Sequence, residues 1–196
     1  MPSIAPSRPI SHEELRAVHG AAYLGRLRES AYAARVLEVP APGRLPASVI
    51  DWLILRPMRW ATMGTILAAR VAMRCGLTVN LSGGYHHARP DAGEGFSVYA
   101  DAALAIADLR SSGQLAESDR VAYVDCDVHQ GNGVGHCFRN DSRVFIYDQF
   151  NGAIYPWLDT RARARVDCPR LTQRGSRKRN EPDCGICFRR PQSQRA

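Results

Sequence analysis

Three short runs rich in β-branched and apolar residues alternate with helical stretches, and this rhythm limits the fold more than any other feature. Leu77-Thr78-Val79-Asn80-Leu81, Arg120-Val121-Ala122-Tyr123-Val124-Asp125 and Ser142-Arg143-Val144-Phe145-Ile146-Tyr147 read as strands. Between them, residues 96–109 put Ala100, Ala103, Leu104 and Ala107 on one helical face, and residues 134–139 read as a short helix. Ahead of the first run, residues 60–75 read as a buried helix of small side chains (Ala61, Thr65, Ala68, Ala69, Ala72) with Gly76 as its C-cap. This order predicts an α/β domain whose parallel sheet is covered on both faces.

The upstream half is less regular. Residues 11–37 read as helical, opened by a capping box of Ser11 and Glu14 and divided by Gly20 and Gly25 into two short helices. Residues 38–58 carry prolines at 40, 42, 46 and 57 and read as an extended link with one apolar piece, Val49 to Ile54. The 196 residues are 45% apolar and 23% charged, which suits one soluble domain. No run approaches the roughly 20 apolar residues that span a bilayer, so no membrane is expected. The first eight residues have no apolar signal core, and six cysteines at irregular spacings do not form a disulfide framework. The expected setting is the reducing cytoplasm.

The net charge of +7 is not spread over the chain. Residues 1–158 hold 15 arginines and 15 acids, so the whole excess lies in residues 159–196. A nucleic-acid reader spreads basic residues over a folded surface, so nucleic acid is expected as a partner only through the tail. The sequence divides into an N-terminal segment 1–10, a domain 11–167 and a basic, disordered tail 168–196.

In parallel α/β sheets ligands bind beyond the carboxyl ends of the strands, and both polar clusters fall there. Gly83-Gly84-Tyr85-His86-His87 follows the first run, and Asp125-Cys126-Asp127-Val128-His129-Gln130-Gly131-Asn132-Gly133 ends the second. Alternate residues of a strand share a face, so Asp125, Asp127 and His129 lie on one side. Asp127 and His129 can then converge on one cation, with oxygen and imidazole donors suited to zinc or iron. Alone, an Asp-x-His or a His-His is more often a solvated strand end or a satisfied loop; both at successive strand ends is much less common by chance. His12, His19 and His136 have no metal partner near in sequence, and Cys75, Cys126 and Cys137 read as incidental.

Ser82 to Arg89, Gly95-Phe96, Tyr99-Ala100-Asp101 and Tyr123 to Gly133 together resemble the zinc-dependent histone deacetylase family. Phe145-Ile146-Tyr147-Asp148 and Asn151 to Pro156 are similar to its class IV branch and bacterial relatives, and Val18 to Leu24 resembles its early helix. The resemblance covers residues 11–167 and implies a three-layer α/β/α, arginase-like fold. It implies hydrolysis of acetyl-lysine or of a small acetylated amine. By resemblance His86 pairs with Asp125 and His87 with Asn132, Asp127 and His129 bind zinc, and Gly84, Gly95 and Phe96 meet the substrate. A structural potassium ion would use Asp125, Asp127 and His129 with backbone near Asp148.

The resemblance also implies parts that do not follow here. A third zinc-binding aspartate and a late Gly-Gly-Tyr would lie beyond Pro156, and an opening strand would precede Ser11. From Arg170 the apolar pattern stops and the charge changes, as a shifted reading frame would cause; the fold is therefore expected to be incomplete and activity impaired. The rival for the tail is a basic arm, and Cys184-Gly185-Ile186-Cys187 reads as chance spacing. Rival functions are a non-catalytic binding remnant of the same fold and a two-metal, arginase-type hydrolase. The single Asp-x-Asp-x-His argues against the latter.

Overall fold

The computed structural model describes residues 3–39, 45–157 and 159. The tail from residue 168, with Cys184 and Cys187, lies outside the described residues. Three short helices open the chain: α1 (His12–Leu15), α2 (Ala21–Arg26) and α3 (Ser30–Val36). The capping box is formed: Ser11 Oγ accepts from the Glu14 N–H, and the Glu14 carboxylate accepts from the Ser11 N–H. The two helices expected over 11–37 are thus three, because Gly20 caps α2 and the chain turns again before Ser30.

Residues 45–58 depart from the expected extended link. Helix α4 (Ala47–Ile50) runs through a π-helical turn (Asp51–Leu55) into α5 (Arg56–Cys75). Pro46 caps α4, whereas Pro57 lies inside the continuous helical run, directly after the π-helical turn in which the Arg56 N–H reaches back to the Asp51 carbonyl. A proline removes a helical hydrogen bond there, and the irregular turn falls where that bond is lost. Gly76 ends α5 at φ +82°, a conformation that favours glycine. The distal half of α5 is more open than expected, with Met73, Arg74 and Cys75 exposed.

Helix α6 (Asp101–Ser111) packs across α5, tied by Thr65 Oγ1 to Asp101 Oδ2 at 2.7 Å and by an Arg70–Asp108 ion pair. Strand β1 (Val121–Asp125), helix α7 (Asn132–Phe138) and strand β2 (Val144–Asp148) complete the described elements. The strands are parallel, with Val121 opposite Val144 and Asp125 opposite Asp148. Two cores result, and α6 serves both. Leu104 and Ala105 join Leu15, Tyr23, Val36, Ile50 and Ile66, while Ala103 and Ile106 join Val134, Phe138, Val144 and Ile146. Ile10 is already buried in the first core, ahead of the domain start expected at residue 11.

The expected strand 77–81 does not form. Thr78 Oγ1 donates to the Ala68 carbonyl and Asn80 Nδ2 to Thr65 Oγ1, so the inward side chains bond to α5. Leu77, Val79 and Leu81 face outward, 65%, 68% and 98% exposed. The run reads in sequence as a short buried strand, but its apolar side chains face outward, and a strand also needs a ladder partner, which no described strand supplies. Likewise the sheet is covered on one face, by α6 and α7, rather than on two: Val124 and Phe145 on the other face are exposed. Helices on one face of a parallel two-stranded sheet are consistent with an incomplete three-layer α/β/α fold. No helix of the described residues is long and apolar enough to cross a membrane.

Candidate active site

The site is built where β1 ends and where the 82–88 loop passes it. Gly83 and Gly84 adopt φ +98° and +77°, which turns the chain sharply after residue 81. The buried Asp101 carboxylate then holds the loop: Oδ2 accepts the Gly84 N–H at 2.9 Å and Oδ1 the Tyr85 N–H at 3.0 Å. At the far side the Val134 N–H donates to the His86 carbonyl at 3.1 Å, fastening α7 to the same loop.

Both histidines are anchored as the resemblance implied. His86 Nδ1 lies 2.8 Å from Asp125 Oδ2, and a carboxylate only accepts, so Nδ1 carries the proton. His87 Nδ1 lies 2.8 Å from Asn132 Oδ1. The two rings are 4.1 Å apart between centroids. Their partners separate them electrostatically. Burial lowers the basicity of both, but the hydrogen bond and charge of Asp125 reverse this for His86, which is raised above its ordinary value. Neutral Asn132 cannot do so for His87, which burial keeps below it. Burial also raises the Asp125 carboxyl, but the bond from His86 outweighs this and holds it below its usual range.

Asp127 and His129 stand beside this pair, half exposed. Asp127 Oδ1 accepts from the His129 N–H at 2.8 Å and from His129 Nδ1 at 2.9 Å, and lies 3.9 Å from His86 Nε2. Adjacent ligands of a tetrahedral zinc with bonds of ~2.0 Å sit roughly 3.3 Å apart, so these two donors fit one ion after a small opening. Among the described residues no cluster of three or more His, Cys, Asp or Glu side chains that could hold a metal is present. A second fit concerns potassium. Asp148 is buried, its Oδ2 accepts the Gly131 N–H at 2.9 Å, and its Oδ1 has no hydrogen-bond partner. Burial first, then the neighbouring Asp125, pushes this carboxyl up to about 6. An orphaned oxygen on a carboxylate paired with Asp125 is what a weakly hydrated monovalent cation would complete.

These side chains open into one cavity of about 500 Å³, lined by Gly84, His86, His87, Gly95, Phe96, Asp127, His129 and Tyr155 among others. Phe96 sits at φ +62°, a strained conformation costing about 1–3 kcal/mol, and stays 58% exposed at the cavity. Of the expected catalytic, substrate and metal residues, Asp125 and Asn132 bond to the histidines at Nδ1 and the others line the cavity. Three contributors were not singled out. Asp101 was quoted without a role, Tyr155 stacks edgewise 5.5 Å from the His87 ring, and Glu94 accepts from Asn132 Nδ2. His19 keeps its structural reading: it is buried, accepts the Ala100 N–H at Nε2, and burial lowers it to about 4.

Gly133 allows the close docking of α7. A Cβ there would collide with the His87 and Ala88 backbone, so Gly133→Ala is expected to cost about 1–3 kcal/mol and to part His87 from Asn132. Gly25→Ala, in helix α2 with open space around it, should instead stabilise by about 0.5–1 kcal/mol. Paired thermal melts check both signs.

The comparisons with known proteins bear on the family and the fold. The histone deacetylase domain family matches residues 2–173. Histone deacetylase 2 of Arabidopsis thaliana is 40% identical over 156 residues, covering 79% of this chain and 39% of that protein. The crystal structure of the HDA15 HD domain superposes with a TM-score of 0.61 at 22% identity, covering 81% of this chain and 43% of that one. An HDAC homolog complexed with SAHA gives 0.58 at 24% identity, covering 78% and 41%. The chain spans about two-fifths of the length of these relatives. With the family matched over most of its length, the chain belongs to the histone deacetylase family.

Proposed function

We propose that the described residues form the proton-handling part of a zinc-dependent deacetylase site, acting on the amide of acetyl-lysine or of a small acetylated amine. The observation that carries this reading is the pair of adjacent histidines, one fixed on a buried carboxylate and one on a neutral amide, facing Asp127 and His129 in one cavity. Asp127 and His129 would hold the ion, the imidazole through the ring nitrogen that carries no proton. Zinc, when bound, polarises a carbonyl and brings a water pKa toward about 7.

His87 is the general base. Its Nδ1–H is committed to Asn132, so Nε2 is the nitrogen that accepts a proton from the attacking water and returns it to the leaving amine. His86, whose basicity Asp125 raises, stands beside it as a ring that can donate toward the oxygen that becomes negative. Phe96 and Tyr155 offer apolar ring surface to the methylene stem of a lysine, with Gly84 and Gly95 leaving room beside it. Exposed Cys126, next to the ligand pair, suits a reducing cytoplasmic setting where it stays a thiol. Among the described residues two donors gather where a catalytic zinc takes three, which supports weak metal binding and slow turnover by these residues alone. The exposed face of Leu77, Val79, Val124 and Phe145 favours the second reading, an incomplete domain that binds acetylated ligands without turnover. Zinc-dependent acetate release from an acetyl-lysine peptide, lost in His87→Ala, supports the first; binding with no release supports the second.

Potassium is part of the same proposal. A carboxyl raised to about 6 costs stability as it ionises, from its unfolded value of 3.8 upward, and the cost is complete above about 6. Asp148→Asn is therefore expected to stabilise the metal-free chain at neutral pH, by up to about 3 kcal/mol, and to do nothing near pH 4. Exchanging sodium for potassium should raise the melting temperature of the unaltered chain and leave that of Asp148→Asn unmoved.

A further inference from the structure

We propose that Glu94 is a positioning residue that sets which nitrogen of His87 carries the proton, by orienting the Asn132 amide. The inference rests on the reading of His87 as the general base. His86 needs no such help, because its partner Asp125 can only accept. Asn132 is different: an amide presents an acceptor on one side and a donor on the other, and either could face His87. If Nδ2 faced the ring, Nδ1 would have to accept and the proton would move to Nε2, the nitrogen needed as the base.

Two contacts choose the orientation. The Gly133 N–H donates to Asn132 Oδ1 at 3.0 Å, from the adjacent residue. On the other side Asn132 Nδ2 donates to Glu94 Oε1 at 2.6 Å. A flipped amide would set its oxygen against the Glu94 carboxylate and its NH₂ against the Gly133 N–H. The bond to Glu94 is shorter and charge-assisted, so it contributes more. Glu94 is held in turn by Arg89, whose Nη2 lies 3.4 Å from Oε2, while the loop between them is closed by the Arg89 N–H to the Ala92 carbonyl at 2.8 Å. The result is a line of four, Arg89, Glu94, Asn132 and His87. A carboxylate one residue removed also polarises the amide and strengthens its acceptor oxygen.

The test reads the tautomer directly, by ¹⁵N NMR of imidazole-labelled, metal-free chain at a pH where His87 is neutral. The unaltered chain and Glu94→Gln, which keeps an acceptor, should both show His87 protonated at Nδ1. Glu94→Ala should lower the ratio of the Nδ1–H to the Nε2–H form by about five- to tenfold, the worth of one lost hydrogen-bond preference. In an Asn132→Asp background the partner only accepts, so Glu94→Ala should leave the tautomer unchanged. There Glu94→Gln should raise the melting temperature by relieving two facing carboxylates, whereas in the unaltered background it should not. An unchanged tautomer in Glu94→Ala, or the same response to Glu94 changes in both backgrounds, overturns the proposal. If Asn132→Asp does not fold, Glu94→Ala against Glu94→Gln decides alone. Neither metal nor substrate enters the measurement, so absent hydrolysis would count against the deacetylase reading and not against this one.

Discussion

In an acetyl-lysine peptide assay with added zinc, residues 1–196 are expected to release acetate roughly 10²–10³-fold more slowly than a deacetylase whose zinc has three protein ligands. Two shortfalls act together. Asp127 and His129 are two donors, so the ion is held loosely and its water is poorly placed. The one Gly-Gly-Tyr in the sequence is at 83–85, in the loop that presents the histidines, and the described cavity offers the His86 ring, whose basicity Asp125 raises, as a donor for the developing oxyanion. What rate remains belongs to proton transfer at His87, and His87→Ala should remove it by a further factor of about 10²–10⁴. Turnover at the rate of a complete enzyme, abolished by His86→Ala with His87→Ala, would show that these residues suffice and that the reading of impairment is wrong.

Asp125→Ala should be the most destabilising single change in the site, at about 3 kcal/mol. Asp125 accepts from His86 Nδ1 at 2.8 Å, from the Asp127 N–H at 3.0 Å and from the Tyr123 hydroxyl at 3.3 Å. Both side chains of the ion pair are nearly buried, so truncation leaves donors with no water to replace the carboxylate. The pH dependence follows from the two shifts. His86 is raised, so its contribution is complete below its unfolded value of 6.5 and fades as pH climbs through the higher folded one. Asp125 is lowered, so its contribution is complete above 3.8 and fades as pH falls through the folded value. Denaturant melts should therefore show the widest gap between chain and variant from about pH 4 to 6.5, narrowing as pH rises above that. A gap independent of pH would mean that Asp125 acts by shape alone.

What could be read in sequence were features carried by short-range spacing. Asp125 ends β1, while Asp127 and His129 follow in the loop, gathered by the Asp127 N–H to Asp125 Oδ1 and the His129 N–H to Asp127 Oδ1, so the alternate-residue reading found the cluster although the strand stops at its first member. The His86–Asp125 and His87–Asn132 bonds join residues 39 and 45 apart, and the resemblance, not periodicity, paired them. Asp101 and Glu94 gave no local signal, since each works through a fold contact: one through the crossing of α5 and α6, the other through the turn from Arg89 to Gly95. The run 77–81 shows the limit in the other direction. Its pattern is that of a strand, yet hydrogen-bonded pairing is a property of neighbours and not of the run. Over 45–58 prolines suggest a link, yet Pro46 occupies a helix start, where proline is tolerated, and Pro57 is accommodated just after a π-helical turn.

Cobalt(II) titrated into the metal-free chain reads the ligand pair of Asp127 and His129 most directly. Cobalt takes zinc sites and reports its donors by absorption. The expected result is one bound ion with d–d bands of an oxygen and nitrogen site, no thiolate charge-transfer band, and displacement by zinc. Asp127→Ala with His129→Ala should abolish that spectrum while far-ultraviolet circular dichroism stays the same. An unchanged spectrum in the double variant, or a strong thiolate band placing the ion on cysteines such as Cys126, Cys184 or Cys187, would contradict a metal centre at the end of β1.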